Sequence, residues 1–272
     1  MKKIIFLLVL VILMAIGCKN EKPSEFTMLP DYTTSMYPEK LVGRVEKMTE
    51  KNYWAIPDGE KYKKGNPISM KELDSLGWTE DFEVVFDNTG LLVTISGIDE
   101  TARTIWVNEF LKENNVYTER KLFENDTLKF YDKLKCDENG NIIEITGFRA
   151  PEDTVIVTTK KIINAKGDTI ENQWFNNKGE LAGKRINIYD DLHQRRQVTG
   201  YDKDGNYQWR CEDIYNEKGK PSKRTWYDKE ENISSVEEFT YEYDKKGNWV
   251  IEYYKDEKNH ISIMERTYTY FE

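Results

Sequence analysis

The chain has 272 residues, of which 33% are charged and 38% hydrophobic, and its formal net charge is −9. That acidic balance argues against nucleic acid as a partner. Aromatic residues reach 13% in an otherwise polar chain, which fits a thin sheet with few residues buried on both sides.

Met1-Lys2-Lys3 precedes an apolar run from Ile4 to Gly17. The run is too short to span a bilayer comfortably, and a basic start before a short apolar stretch reads as a secretory signal peptide over residues 1–17. Ala15-Ile16-Gly17-Cys18 resembles the lipobox of bacterial lipoproteins, although Ala15 stands where Leu is usual. The resemblance implies a lipid-anchored protein of the cell envelope, with Cys18 carrying acyl chains such as palmitate in the outer membrane. Lys19 to Pro38 is polar, contains Pro23, Pro30 and Pro38, and reads with Cys18 as a tether over residues 18–38. Glu21 is the lone acidic residue just after the cysteine, so the periplasmic and surface faces both stay open.

Residues 39–80 lack a clean repeat and are expected to form a short irregular N-terminal cap. Leu41 to Trp54 suits a first strand, Pro57-Asp58-Gly59 a turn, and Lys61 to Pro67 a loop. Ser69 and Glu72 make a capping box for a short helix that Gly77 ends.

Residues 81–272 repeat one unit: an aromatic residue, Asp or Asn, two polar residues, then Gly. Tyr201-Asp202-Lys203-Asp204-Gly205 is the cleanest copy. Phe175 to Gly179, Tyr215 to Gly219 and Tyr243 to Gly247 are close copies, and Tyr189-Asp190 and Tyr227-Asp228 lack the Gly. An Asp or Asn side chain bonds nearby backbone, and Gly three residues on accepts positive φ, so each copy predicts a hairpin turn. Gly179, Gly205, Gly219 and Gly247 are the structural turn glycines. The marker falls at Asn164, Asn176, Asp190, Asp202, Asn216, Asp228 and Asp244, at spacings of 12, 14, 12, 14, 12 and 16 residues. Period-two alternation such as Phe239, Tyr241, Tyr243 fills the intervals. Thr101 to Asn114 is ambiguous locally, and the wider period favours strands there. The expected fold is all-β: a repetitive antiparallel β-hairpin meander, forming a single curled sheet or open shell.

Tyr241-Glu242-Tyr243-Asp244-Lys245-Lys246-Gly247-Asn248-Trp249 and Tyr201 to Asn206 resemble the repeats of YD-repeat (RHS-like) proteins over residues 164–255, and more weakly over 81–163. The chain looks like the small lipoprotein members of the Bacteroidota type, which are generally uncharacterised. Their large relatives build β-shells around toxin domains. Neither the long array nor an appended toxin domain is read in these 272 residues, so enclosure of a toxin is not expected of them. MORN-type repeats are a second, looser resemblance.

Catalytic and metal signatures are not found. His193 and His260 have no Cys or second His at ligand spacing, so no metal site is expected, and no cofactor. Asp202, Asp204 and Asn206 mimic a calcium loop, but Tyr207 occupies the position that needs Gly, and a turn explains them. Cys136 and Cys211 lie in different repeats, and their pairing is left open. The chain therefore reads as a non-catalytic binding or structural module. Its partners are membrane lipid through Cys18 and an envelope protein or glycan. Trp209, Trp226 and Trp249 are the candidate binding-face aromatics. The alternative is a glycan-acting hydrolase using a carboxylate pair drawn from Glu237, Glu238, Glu252 and Glu265.

Overall fold

The computed structural model describes residues 26–29, 39–76 and 80–272. The expectations for the signal peptide, Cys18 and Gly77 lie outside the described residues. Two short strands, β1 (Phe26–Leu29) and β2 (Glu39–Val42), pair with each other inside the stretch read as tether and cap. β3 (Val45–Asp58) and β4 (Lys61–Pro67) follow, so the segment read as a loop is a strand. α1 (Met70–Leu76) starts at the capping box: Ser69 Oγ donates to Glu72 Oε2 at 2.6 Å.

The meander then runs through β5 (Phe82–Phe86), β6 (Leu92–Ile98), β7 (Thr104–Glu113), β8 (Val116–Glu124) and β9 (Thr127–Cys136). It continues with β10 (Ile142–Arg149), β11 (Thr154–Ile163), β12 (Thr169–Asn176), β13 (Leu181–Tyr189) and β14 (Arg195–Asp202). The last five are β15 (Tyr207–Tyr215), β16 (Pro221–Tyr227), β17 (Ile233–Tyr243), β18 (Trp249–Lys255) and β19 (Ile261–Tyr270). From β5 to β19 each strand pairs antiparallel with the next in sequence.

The open sheet is corrected to a closed barrel of sixteen strands. β3 causes the closure. One of its edges pairs with β19 from Val45↔Tyr270 to Trp54↔Ser262, and the other pairs with β5 from Lys47↔Val85 to Glu50↔Phe82. An open meander would leave β5 and β19 with unpaired backbone groups, and β3 satisfies both. Beyond β5, the same edge of β3 carries β4 as a hairpin at the barrel's end. The irregular cap is thus corrected as well, because its main strand is a stave of the wall.

Eleven turns share one geometry, at Asp87, Asp99, Asp137, Asn164, Asn176, Asp190, Asp202, Asn216, Asp228, Asp244 and Asp256. In each, the N–H three residues on donates to the marker's carbonyl. The marker's own Oδ1 accepts two further N–H groups; at Asp202 these come from Asp204 and Asn206, both at 2.9 Å. The residue three on has positive φ. It is Gly205 at 82° in the Asp202 turn, but Ala102, His193, Glu231 and Asn259 fill that place elsewhere. Two other hairpins turn on Asn114–Asn115 and Asn125–Asp126, again at positive φ.

Successive turns lie on opposite rims. The rim holding the Asp87, Asp137, Asn164, Asp190, Asn216 and Asp244 turns is also where the chain runs into β3, and is called proximal. The other rim is distal. Leu41 enters the interior over the proximal rim and joins Val45, Met48, Phe82, Val84, Phe86, Leu92, Ile95 and Phe110 in the core. Asn248 holds that crossing: its Oδ1 accepts from Val42 N at 2.7 Å and its Nδ2 donates to Val42 O at 2.8 Å.

Two outcomes test the turn. Gly205→Val should cost about 1–2 kcal/mol, the usual penalty of a left-handed non-glycine residue. Glu231→Gly, which relieves that penalty in the Asp228 turn, should raise Tm. Equal and small effects in both would reject the shared geometry. Acid provides a second test. Hydrogen bonds from the Thr101 hydroxyl and Arg103 N–H bring the Asp99 carboxyl down to about 2. At Asp87 burial opposes the shift, yet Lys112 and Thr89 outweigh it and the value again falls to about 2. The folded values lie below the unfolded one, so this stabilisation is complete above about pH 4 and is lost as pH falls toward 2. Tm should drop through that window. Asp99→Asn, which keeps the acceptor as Asn164 and Asn216 do, should show a smaller drop.

Candidate functional site

Residues opposite each other in register share a face. Followed round the barrel, one face holds nearly all of the buried strand residues and the core, and it lines the inside. The other sets opposite charges across from each other in register: Glu109↔Lys121, Glu119↔Lys133, Lys135↔Glu144↔Lys160, Lys223↔Glu238↔Lys255 and Lys51↔Glu265. One groove of about 410 Å³ lies on this outer face, where Glu60 to Tyr62 at the β3–β4 corner lean toward Glu242, Tyr253 and Ile261.

The inner wall of β14–β19 gathers the tryptophans. Trp209 lies flat over Gly200, its cross-strand partner, where an added Cβ would meet the indole at 2.4 Å. Trp226 stands 5.6 Å from Trp209 between ring centroids, tilted by 54°. Trp226 Nε1 donates to Glu237 Oε1 at 3.1 Å. Trp249 is buried beneath Arg266, whose guanidinium sits 3.8 Å from the ring centroid and donates to Glu50 Oε2 at 2.7 Å. All three tryptophans therefore share the inner face. Trp249 is part of the packed wall, while Trp209 and Trp226 are half-buried.

Arg224 organises the charges beside them. Its Nε donates to Asp213 Oδ1 at 2.8 Å, and its Nη1 lies 3.5 Å from Glu237 Oε2. The guanidinium also rests over Phe239, which packs on Tyr254 at 5.5 Å. Burial raises the Glu237 carboxyl above its ordinary range, with Arg224 and the Trp226 indole pulling the other way. Burial raises the Tyr215 and Tyr254 phenols too, and pushes the Cys211 thiol up to about 12, so that thiol is inert. Cys136 and Cys211 are both free.

The other predicted residues are spread through the barrel. Glu252 is buried in the inner wall, whereas Glu238 and Glu265 lie on the outer face, paired with Lys255 at 3.5 Å and Lys64 at 2.6 Å. Gly179, Gly205, Gly219 and Gly247 all have positive φ at turns. His193 fills the glycine place of its turn, and its Nδ1 lies 2.8 Å from Asp168 Oδ1. Among the described residues no group of three or more His, Cys, Asp or Glu is placed to hold a metal ion. Sequence reasoning missed Arg224, Asp213 and Arg266. Register alone pairs Arg224 with Asp213 and Glu237, and no local motif marks it.

Arg224→Leu is expected to destabilise by about 3–5 kcal/mol, because Asp213, with a fully buried side chain, loses its guanidinium. Arg224→Lys should recover only part of that, since an ammonium cannot span both carboxylates. Chemical denaturation of the two variants measures it, and a wild-type midpoint for Arg224→Leu would refute the assignment.

No protein-family model and no curated protein matches this chain. Among solved structures, a porin-like protein from Bacteroides uniformis superposes with a TM-score of 0.56 at 8% identity, over 83% of this chain and 98% of that one. That likeness shows the barrel fold alone. A porin-like protein from Bacteroides vulgatus gives a TM-score of 0.41 at 11% identity, over 84% of this chain and 99% of that one. The Photorhabdus luminescens Tc holotoxin pore gives 0.23 at 13% identity, over 84% of this chain and 12% of that one. Neither of these two carries weight.

Proposed function

We propose that this protein is a non-catalytic barrel of the cell envelope, held to the membrane through Cys18 and lying in water, with its inner aromatic wall as the binding surface. The opposed charges on the outer face carry this reading. A barrel immersed in lipid presents an apolar outer band, and Lys or Arg at the bilayer midplane costs about 2–4 kcal/mol each. Here Lys133 on β9, Lys160 on β11 and Lys223 on β16 stand on the outer face opposite carboxylates. The porin-like fold and the charged exterior are reconciled if the barrel stands beside the bilayer and does not cross it. Barrels of this strand number leave a lumen in porins. The half-buried Trp209 and Trp226 with Arg224 suit an extended polar ligand, a glycan or a protein segment, that stacks on rings and bonds to charges. Kinship with the YD-repeat lipoproteins of the Bacteroidota type belongs to the same proposal, and its support is the shared turn.

The non-catalytic part rests on the state of the carboxylates. Glu237 and Asp213 are bridged by one guanidinium, and Glu237 also accepts from Trp226, so neither is poised as a lone acid facing a cleft. A screen of envelope polysaccharides and envelope-protein fragments tests the proposal. Trp226→Ala should weaken the selected ligand by about tenfold, or 1.4 kcal/mol, while Trp249→Ala should chiefly lower Tm. Unchanged affinity in both Trp209→Ala and Trp226→Ala would remove the inner wall as the binding surface. Glycan cleavage that vanishes in Glu237→Gln would replace the module with a hydrolase.

A further inference from the structure

The two rims differ in what they expose. At the last outward position before the proximal turns stand Ile162, Ile188 and Ile214, spaced 26 residues apart on β11, β13 and β15. They are 47%, 50% and 56% exposed, and Leu192, in the Asp190 turn between β13 and β14, is 73% exposed. Staves two apart in a sheet are separated by about 9–10 Å, so the set forms a crescent along the rim. Other exposed apolar residues, such as Ile56 and Ile233, are not part of such a series. Single ones are ordinary on protein surfaces, and only a grouped set needs a cause.

The chain's course supplies the cause. Phe26 of β1 pairs with Val42 of β2, and Val42 is bonded to Asn248 on the proximal rim. Phe26 therefore lies at that rim. Cys18 precedes it by eight residues, a reach of at most about 26–29 Å when fully extended. Charge does not set the direction, because both rims are mixed: Lys203, Lys229 and Lys258 accompany Asp204, Glu230, Glu231 and Glu257 at distal turns, and Glu138, Asp191 and Glu217 accompany Lys166, Lys220 and Lys245 at proximal ones.

We infer that the proximal rim docks on the bilayer, with Ile162, Ile188, Leu192 and Ile214 dipping into the headgroup layer and the distal rim facing away. The inference rests on the reading of Cys18 as a lipid anchor and adds an orientation to it. An anchored barrel with this crescent lies on the surface with its axis steep to it, and the distal rim faces the aqueous side. Aliphatic side chains at a membrane surface add to the hold of an acyl chain in the way that a second weak signal does.

The full-length acylated protein in vesicles of phosphatidylethanolamine and phosphatidylglycerol tests this. Ile188→Cys, Ile214→Cys and, as a distal control, Ile233→Cys are each labelled with an environment-sensitive fluorophore in a Cys136→Ser background, Cys211 being buried. Labels at 188 and 214 should shift to the blue and be quenched by bromine-labelled lipid at least about threefold more than the label at 233, as expected for interfacial burial. Labels at all three positions equally exposed to water would overturn rim docking, whatever the state of Cys18. Radiolabelled palmitate reports the anchor separately. Loss of incorporation with quenching kept at 188 and 214 would sink the anchor reading and still support docking.

Discussion

One hydrogen-bonding device sets the plan of the molecule. A marker Asp or Asn accepts two backbone N–H groups with its side chain and a third with its carbonyl, and in return fixes a left-handed residue three positions on. That closes a hairpin with one register shift beside the turn, as at Gly200/Tyr201. All of these bonds lie within a five-residue segment, so each hairpin is specified locally. Asn164, Asn176 and Asn216 do the same work as the aspartates, which means that the acceptor matters and the charge is secondary.

The barrel's two faces follow from repeating that device. In a meander that keeps advancing round a barrel, a hairpin at the distal rim is the proximal one turned over about a circumferential axis, which exchanges inside and outside. The aromatic residue before the marker therefore alternates. Tyr215 and Tyr243 point inward at proximal turns, while Phe175, Tyr201 and Tyr227 point outward at distal ones. The outer rings are covered by Lys160, Lys184 and Arg210 from the preceding stave. The inner Tyr243 and Tyr270 are covered by Lys218 and Lys246, each from the turn before. Cation–π contacts thus tie each hairpin to its neighbour on both faces. The true period is two hairpins, which is why spacings of 12 and 14 alternate along the chain.

The turns, the strands between them and the antiparallel meander were legible because they depend on neighbours in sequence. Closure was not. It depends on Val45 to Trp54 meeting Ser262 to Tyr270, more than 200 residues away, and no local pattern records which edges meet. β4 was hidden because Lys61 to Pro67 is polar and holds Gly65 and Pro67, residues that disfavour strands. The Asp99 and Asp256 turns were obscured because Ala102 and Asn259 stand where Gly marks other copies. That Trp209, Trp226 and Trp249 all face inward was not readable from spacing alone. Each turn's register shift resets the in-or-out parity, so Trp209, Trp226 and Trp249 share a face only after three such resets are counted.

The interior explains how so polar a chain holds a wide wall. Aliphatic core is concentrated around β3 and β5–β7, where Leu41 crosses the rim. Elsewhere the inner face is built from rings and guanidinium groups: Arg266 between Trp249 and Glu50, and Arg224 between Phe239, Asp213 and Glu237. A guanidinium can stack on a ring and donate to carboxylates in its own plane, so one residue serves three staves. Such contacts need register to be kept over several strands. The turns supply that register, since a shift of one residue would carry the arginines outward and leave their carboxylates inside. The local device at the rims and the charged interior between them therefore depend on each other. The same dependence keeps the opposed Lys and Glu residues on the outside.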